Sequence, residues 1–513
     1  MLARLSGNFA VQIFGIVLSF ADRFILVGLL LRSLGTDAYS DWVLLLSSAG
    51  LLSLGELGLN IYYGNIWQQA HATGNGVRFQ RMLGLSLTYS AGLGLALFSI
   101  MLLFVAAADL NATLSLKTLP PRQADLVFLL LGAAAASRAM RGGISQLYRG
   151  RQAFAVGMLV DLVFVAALFI ALLAITLSGG SLPMLAGGYL ACDLLAGWGV
   201  MMWDLRRRYP DLVFKLRRPC RDEFADLLRH VRWFAVQQGA PVAWLQIPVL
   251  LLGWLGVAGP ALISFLLLRT LVNFARSLGQ MLSISASIEL ASSFHSGANA
   301  EFLRRLGVFG STLSGIAAAM GIAIFLFGEA IIVVWTGHAD LYDPAIAGWL
   351  LAAALIAAPG TPLATTLMLC NLPKPAALAN LVQISTGLMA VVILGRFYGN
   401  LGVAAGLMIG EALAFGLVLP YFAVTPLNLD YPRYLLRCLA TMAACALWCG
   451  LVGVTLKMLL DPTRLVGLAL VFGLWGLFGV IPVLLATLPA AQRLTVLRMS
   501  QRLSARLLLV RPL

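Results

Sequence analysis

Apolar runs of about twenty residues recur along the whole chain, each long enough to cross the hydrocarbon core of a bilayer. They fall at 8–31, 42–63, 83–107, 125–147, 153–177, 183–204, 232–255, 259–289, 305–327, 345–370, 375–395, 400–422, 434–457 and 464–488. The pattern predicts an all-α polytopic membrane protein with about fourteen transmembrane helices. The short alternating segments of a β-barrel do not occur in the sequence.

Polar positions inside these runs keep helical spacing. In "RTLVNFARSLGQMLSISAS" the polar residues are Arg269, Asn273, Arg276, Gln280, Ser283 and Ser287. Steps of four, three, four, three and four put all six on one helix face. Run one carries Asn8, Gln12, Gly15, Ser19, Asp22 and Arg23 in the same way, and run two carries Ser53, Glu56 and Asn60. Run four has Arg138, Arg141, Ser145 and Tyr148; run seven has Gln237, Pro241, Trp244 and Pro248. The two prolines predict kinks whose freed carbonyls face protein or water.

An arginine at the bilayer centre costs about 2.5–3.5 kcal/mol even on the lenient insertion scale. Lone Asn or Ser residues on such faces are expected to glue helices together. Arg269 and Arg276 need more: acids to pair with, or water. The acids within the runs are few, chiefly Asp22, Glu56, Asp161, Asp193 and Glu411. Adjacent Asp22 and Arg23 suit an internal ion pair, and Arg138 and Arg141 are expected to snorkel toward the cytoplasmic surface. The excess of cations predicts a hydrated, positive cavity that accepts an anionic ligand. Arginine suits phosphate because its planar fork bonds two oxygens at once. Glu411 is a candidate protonation or cation site.

Loop charge sets the expected topology. One set of loops holds the basic residues, above all Arg206, Arg207, Arg208, Lys215, Arg217, Arg218 and Arg221. The positive-inside rule places that set, and both termini, in the cytoplasm. The longest polar interruption, 205–231, separates an N-terminal lobe of six helices (1–204) from a second (232–424). "FAVQ" occurs at Phe9–Gln12 and again at Phe234–Gln237, each copy near the start of a half. Such internal repeats are common in transporters. Two further helices follow over 425–490, and then a basic tail over 491–513 with Arg498, Arg502 and Arg506 four apart, suited to lie on anionic lipid. "DEFADLLRHVR" in the linker predicts a second interfacial helix.

Composition agrees: 513 residues, 60% hydrophobic, 11% charged, against roughly 25% charged in soluble proteins. The net charge of +14 follows from the loop bias, so no nucleic-acid partner is expected. The six cysteines lack metal-ligand spacing and read as packing residues. Arg4 followed by an apolar run imitates a signal peptide, but Asn8, Gln12, Asp22 and Arg23 interrupt that run, so it reads as the first membrane helix. No nucleotide-binding loop or H-E-x-x-H motif appears, and the outward loops are short. The chain is expected to be no enzyme and to use no cofactor.

The run "LGTDAYSDWVLLLSSAGLLSLGELGLNIYYGNIWQQ" resembles the polysaccharide-transporter branch of the multidrug/oligosaccharidyl-lipid/polysaccharide (MOP) exporter superfamily. The resemblance rests on Leu34-Gly35, Tyr39 and Glu56-Leu57-Gly58-Leu59, and on "QLYRGRQAF" from Gln146 to Phe154. It implies two six-helix bundles in a V around a central cavity, plus two C-terminal helices, and alternating access. It also implies translocation of lipid-linked sugars, often on polyprenyl pyrophosphate, beside polysaccharide polymerase and chain-length machinery. By placement, Arg23, Arg269 and Arg276 resemble the cavity arginines of the sister lipid II flippases. Gln12, Gln237, Asn273 and Gln280 are candidates for sugar hydroxyls. A multidrug or organic-cation antiporter of the same fold, which carboxylates would dominate, and a membrane polymerase or ligase, which a large outward loop would mark, are the alternatives.

Overall fold

The computed structural model describes residues 15, 18, 20–56, 59–151, 153–295, 299–370, 372 and 374–487. Gln12, the first "FAVQ" and the tail 491–513 lie outside them, as do the side chains of Arg23, Glu56 and Gln237. Among the described residues the chain is helical with no strand. Nine helical stretches among the described residues are long and apolar enough to cross a membrane, and a bent pair makes a tenth. One of the nine, Lys374–Leu427, has 54 residues, too many for a single crossing at about 1.5 Å per residue. It breaks at Gly399 (φ 55°, ψ −132°) into two arms.

We number the segments α1 (21–34), α2 (36–56 and Leu59–Ala72), α3 (Gly76–Ala107), α4 (Pro121–Gly150), α5 (Phe154–Leu177) and α6 (Leu182–Arg208). Then come α7 (Arg221–Trp254), α8 (Pro260–His295), α9 (Asn299–Thr336), α10 (Pro344–Ala357 and Gly360–Leu369), α11 (374–398) and α12 (400–427). The last two are α13 (Tyr431–Leu459) and α14 (465–487). Among the described residues fourteen segments therefore follow one another, as the hydropathy pattern predicts.

Local chemistry explains the breaks. Leu34-Gly35 is the turn between α1 and α2, and Gly35 adopts φ 79°, ψ 170°, a conformation that a Cβ would strain. α2 begins right after it, whereas the hydropathy pattern starts the second span at 42. The early residues are polar because they hold a loop: buried Asp41 accepts from the backbone N–H groups of Lys117, Thr118 and Leu119 (3.0, 2.7 and 3.3 Å) and from the Thr118 hydroxyl (2.6 Å). The two arms of α10 meet at a 46° bend, where Tyr434 Oη donates to the Pro359 carbonyl at 2.8 Å. "QLYRGRQAF" closes the end of α4. Tyr148 Oη donates to Asp204 Oδ2 (2.8 Å), and Arg151 pairs with Asp211 and lies over the rings of Phe79 and Tyr209.

The linker differs from expectation. "DEFADLLRHVR" is not a separate helix but the start of α7, which runs unbroken through Pro241 and Pro248. Cys220 caps it, and Glu223 accepts from the Cys220 N–H at 3.0 Å. Glu223 also takes Arg81 of α3 (2.6 Å). The preceding segment lies along α3, with Arg217 N–H donating to Gly84 O (3.3 Å) and to Thr88 Oγ1 (3.0 Å).

The chain divides by contacts into two compact units. The first is Met1–Leu266 with Val391–Val403; the second is Leu267–Ala390 with Ala404–Leu513. The boundary thus falls inside α8 rather than in the 205–231 linker, because α7 packs on α2 and Asn400 Nδ2 donates to the Ala261 carbonyl (2.5 Å). One core of the first unit surrounds Trp67, Leu83 and Tyr148; one core of the second surrounds Phe302, Leu306 and Tyr434.

Candidate functional site

Each unit holds an arginine–carboxylate cluster with at least one buried member of each sign. In the first, Arg141 of α4 is 5% exposed and lies between Asp161 of α5 (3.0 Å) and Asp193 of α6 (3.2 Å). Ser137 donates to the other Asp193 oxygen at 2.5 Å and receives the Trp198 indole N–H at 3.0 Å. Arg141 and Arg138 both stack on Phe164 (4.5 and 5.0 Å), and Arg138 also faces Tyr189 (5.5 Å). The approach depends on Gly197, whose Cβ would come within 2.8 Å of Arg141 Nε. Arg141 itself is buried against two acids of its own helix bundle, of which Asp193 is buried and Asp161 exposed. Two arginines face two aspartates, and the cluster is neutral.

In the second unit, Arg276 of α8 pairs with Glu411 of α12 at 2.8 Å. Glu411 is fully buried, while the Arg276 side chain is 33% exposed. Arg269, two turns earlier, is 6% exposed, and the charges of both Arg276 and Glu411 act on it. Both arginines therefore lie in the field of the same buried carboxylate. A buried guanidinium beside its like is costly without a counter-ion, which accounts for Glu411 at mid-helix.

The rest of the α8 stripe divides by depth. Ser283 and Ser287 meet Thr365 of α10 (2.5 and 3.0 Å), and Ser287 also meets Thr366 (3.1 Å); these are helix-to-helix bonds, as expected of lone hydroxyls. Asn273 is half-buried and Gln280 exposed. In the first unit Asp22 is half-buried, and Asn60 lies against Gly143 of α4.

Two features stand out only in three dimensions. Asp193 opens the π-helical stretch Asp193–Gly199, and Glu411 directly precedes another, Ala412–Val418. Such stretches are frequent at functional sites. The surrounding sequences match: Gly188 stands five residues before Asp193-Leu-Leu-Ala, and Gly406 five before Glu411-Ala-Leu-Ala. α6 and α12 are the sixth and twelfth segments in chain order, so they correspond under the expected two-by-six repeat. The aromatic partners Phe164, Tyr189 and Trp198 carried no signal in an apolar run. Among the described residues no group of three or more His, Cys, Asp or Glu could hold a metal ion.

No protein-family model and no curated protein matches the chain in sequence. Solved structures do match in shape. A lipid II flippase, MurJ, in an inward closed conformation is similar over 92% of this chain and 97% of its own, at TM-score 0.67 and 11% identity. A multidrug resistance MATE family transporter of the MOP superfamily, inward-facing, is similar over 79% of this chain and 94% of its own, at TM-score 0.61 and 16% identity. MATE in a straight conformation is similar over 83% of this chain and 95% of its own, at 0.57 and 13%. The chain therefore has the fold of the MOP-superfamily transporters, the superfamily that its sequence resembles.

Proposed function

We propose that the protein is a flippase that moves an anionic lipid-linked saccharide, such as a polyprenyl-pyrophosphate oligosaccharide, across the bacterial inner membrane by alternating access. The carrying observation is the cluster of α8 and α12, where partly exposed Arg276 holds buried Glu411 and Arg269 lies in the field of both. A pyrophosphate is too strongly hydrated to enter hydrocarbon, and arginines replace its water. Arg276 is the exposed member and the one to meet phosphate. Its departure from Glu411 would strand a buried carboxylate, which is expensive, unless another cation remains. Arg269 is that cation. The pair thus works as an exchange: Arg276 turns to the phosphate while Arg269 holds the charge of Glu411. Asn273 and Gln280, on the same face, suit sugar hydroxyls, as do Gln12 and Gln237. In the first unit, Asp22, Arg23, Glu56, Asn60, Arg138 and Arg141 are the polar candidates for substrate contact.

The similarity to a lipid II flippase across nearly the whole chain supports this reading. The test is translocation in proteoliposomes of a fluorescent oligosaccharide carried on polyprenyl pyrophosphate, beside the same oligosaccharide on a neutral glycolipid. We expect the first to cross and the second not, and Arg269→Ala to abolish crossing. Equal movement of both lipids would refute the reading.

A further inference from the structure

A groove of about 580 Å³ opens between α9, α13 and α14. Small side chains leave the space: Ala440, Ala444 and Cys445 of α13 and Ala486 of α14. A break in α14 shapes it. The helix passes through a π-helical stretch, Gly476–Val480, and Pro482 follows. Proline has no N–H for the carbonyl four residues back, which is that of Phe478. Trp448 Nε1 of α13 donates to that carbonyl at 3.0 Å. The break is thus satisfied from the neighbouring helix, and the gap is a built feature rather than a packing fault.

Arg437 stands at one end of the groove, six residues into α13, and is exposed. No carboxylate among the described residues pairs with it, whereas Arg304 and Arg305 nearby in α9 are both held by Glu301. Trp448 lies eleven residues further along α13, roughly 16 Å at 1.5 Å per residue. The hydroxyls of Ser311 and Thr441, also in the groove, donate to the carbonyls of Val308 and Arg437 (2.8 and 2.9 Å). Their remaining lone pairs can only accept.

We propose that this groove binds one anionic glycerophospholipid, with its phosphate on Arg437 and one acyl chain along Ala440, Ala444 and Trp448. The cation sits near a helix end, where phospholipids present their phosphates, and the small-residue gap runs from there toward the bilayer interior. A groove of this size lies within the roughly 300–1,000 Å³ typical of small-molecule sites. A glycerol headgroup supplies hydroxyl donors for Ser311 and Thr441. A choline headgroup supplies none and brings a second cation toward Arg437. Phosphatidylglycerol is therefore the favoured occupant. The proposal uses none of the residues of the transport site and stands independently of it.

Native mass spectrometry of the purified full-length protein tests it, with phosphatidylglycerol and phosphatidylcholine of matched chains as probes. We expect one phosphatidylglycerol per protein, held about tenfold tighter than phosphatidylcholine. Arg437→Gln should erase that preference while leaving phosphatidylcholine binding unchanged, and Ala444→Phe should expel both lipids. Equal affinity for the two lipids, or a preference that survives Arg437→Gln, would overturn the proposal. One-for-one displacement of phosphatidylglycerol by a polyprenyl phosphate would also overturn it, because the groove would then serve a polyprenyl carrier and not a resident membrane lipid.

Discussion

Arg276 and Glu411 show how charge is kept stable at membrane depth. The carboxylate is fully buried and its partner one-third exposed, so the two ends of the pair are not equivalent when cut. Removing one partner of a buried pair costs about 3–5 kcal/mol, because the other charge is stranded. Exposure of Arg276 puts Arg276→Ala near or below the low end of that range. A lowered unfolding temperature in detergent would record the loss, and the double variant Arg276→Ala with Glu411→Gln should recover most of it. At this scale the helical spacing of Arg269, Asn273 and Arg276 was legible from residue types alone. The short set of acids that included Asp161, Asp193 and Glu411 was also legible. The pairing was not, since it depends on which helices adjoin. Arg141 takes its acids from α5 and α6, a choice that no spacing along α4 encodes.

Helix boundaries obey chemistry that hydropathy averages away. The first span ends at Gly35 because only glycine tolerates its backbone there. Gly35→Ala should cost about 1–3 kcal/mol, read as a lowered melting temperature with the lipid-binding stoichiometry unchanged. α7 starts at a capping box, not at the edge of the apolar run, and a 20-residue window cannot see it. The Cys220 backbone N–H, and after it Arg81, hold the Glu223 carboxyl below its usual 4.5. Its folded value is therefore below its unfolded one. The stabilisation is full above the usual carboxylate range and fades as the pH falls through the folded value. Protease nicking of 209–220 should accordingly be slow at about pH 7 and speed up in acid. Glu223→Gln should nick quickly at both pH values, whereas a nicking rate that ignores both acid and the substitution would dismiss the cap as a restraint.

Across the whole molecule, the repetition of apolar runs was readable because a bilayer imposes length on every crossing. The repeat that places the charges, Asp193-Leu-Leu-Ala and Glu411-Ala-Leu-Ala, was too short and too apolar to notice before α6 and α12 were seen to carry equivalent π-helical stretches. Topology has a direct check. Cys220 is the single exposed cysteine of the six, the others being buried or half-buried. An impermeant maleimide should label it in inverted membrane vesicles and leave it unlabelled in intact cells; the opposite result would reverse the orientation of the chain. The central claim, that Arg269 frees Arg276 from Glu411 to meet a phosphate, makes a sharper demand. The decisive measurement is the affinity of purified protein for a polyprenyl-pyrophosphate saccharide in wild type, Arg269→Gln and Arg269→Gln with Glu411→Gln. The account predicts a loss of about tenfold or more in the single variant, equivalent to about 1.4 kcal/mol, and recovery in the double, where Arg276 no longer has a carboxylate to abandon. An undiminished affinity in Arg269→Gln, or a loss that Glu411→Gln does not restore, would contradict it.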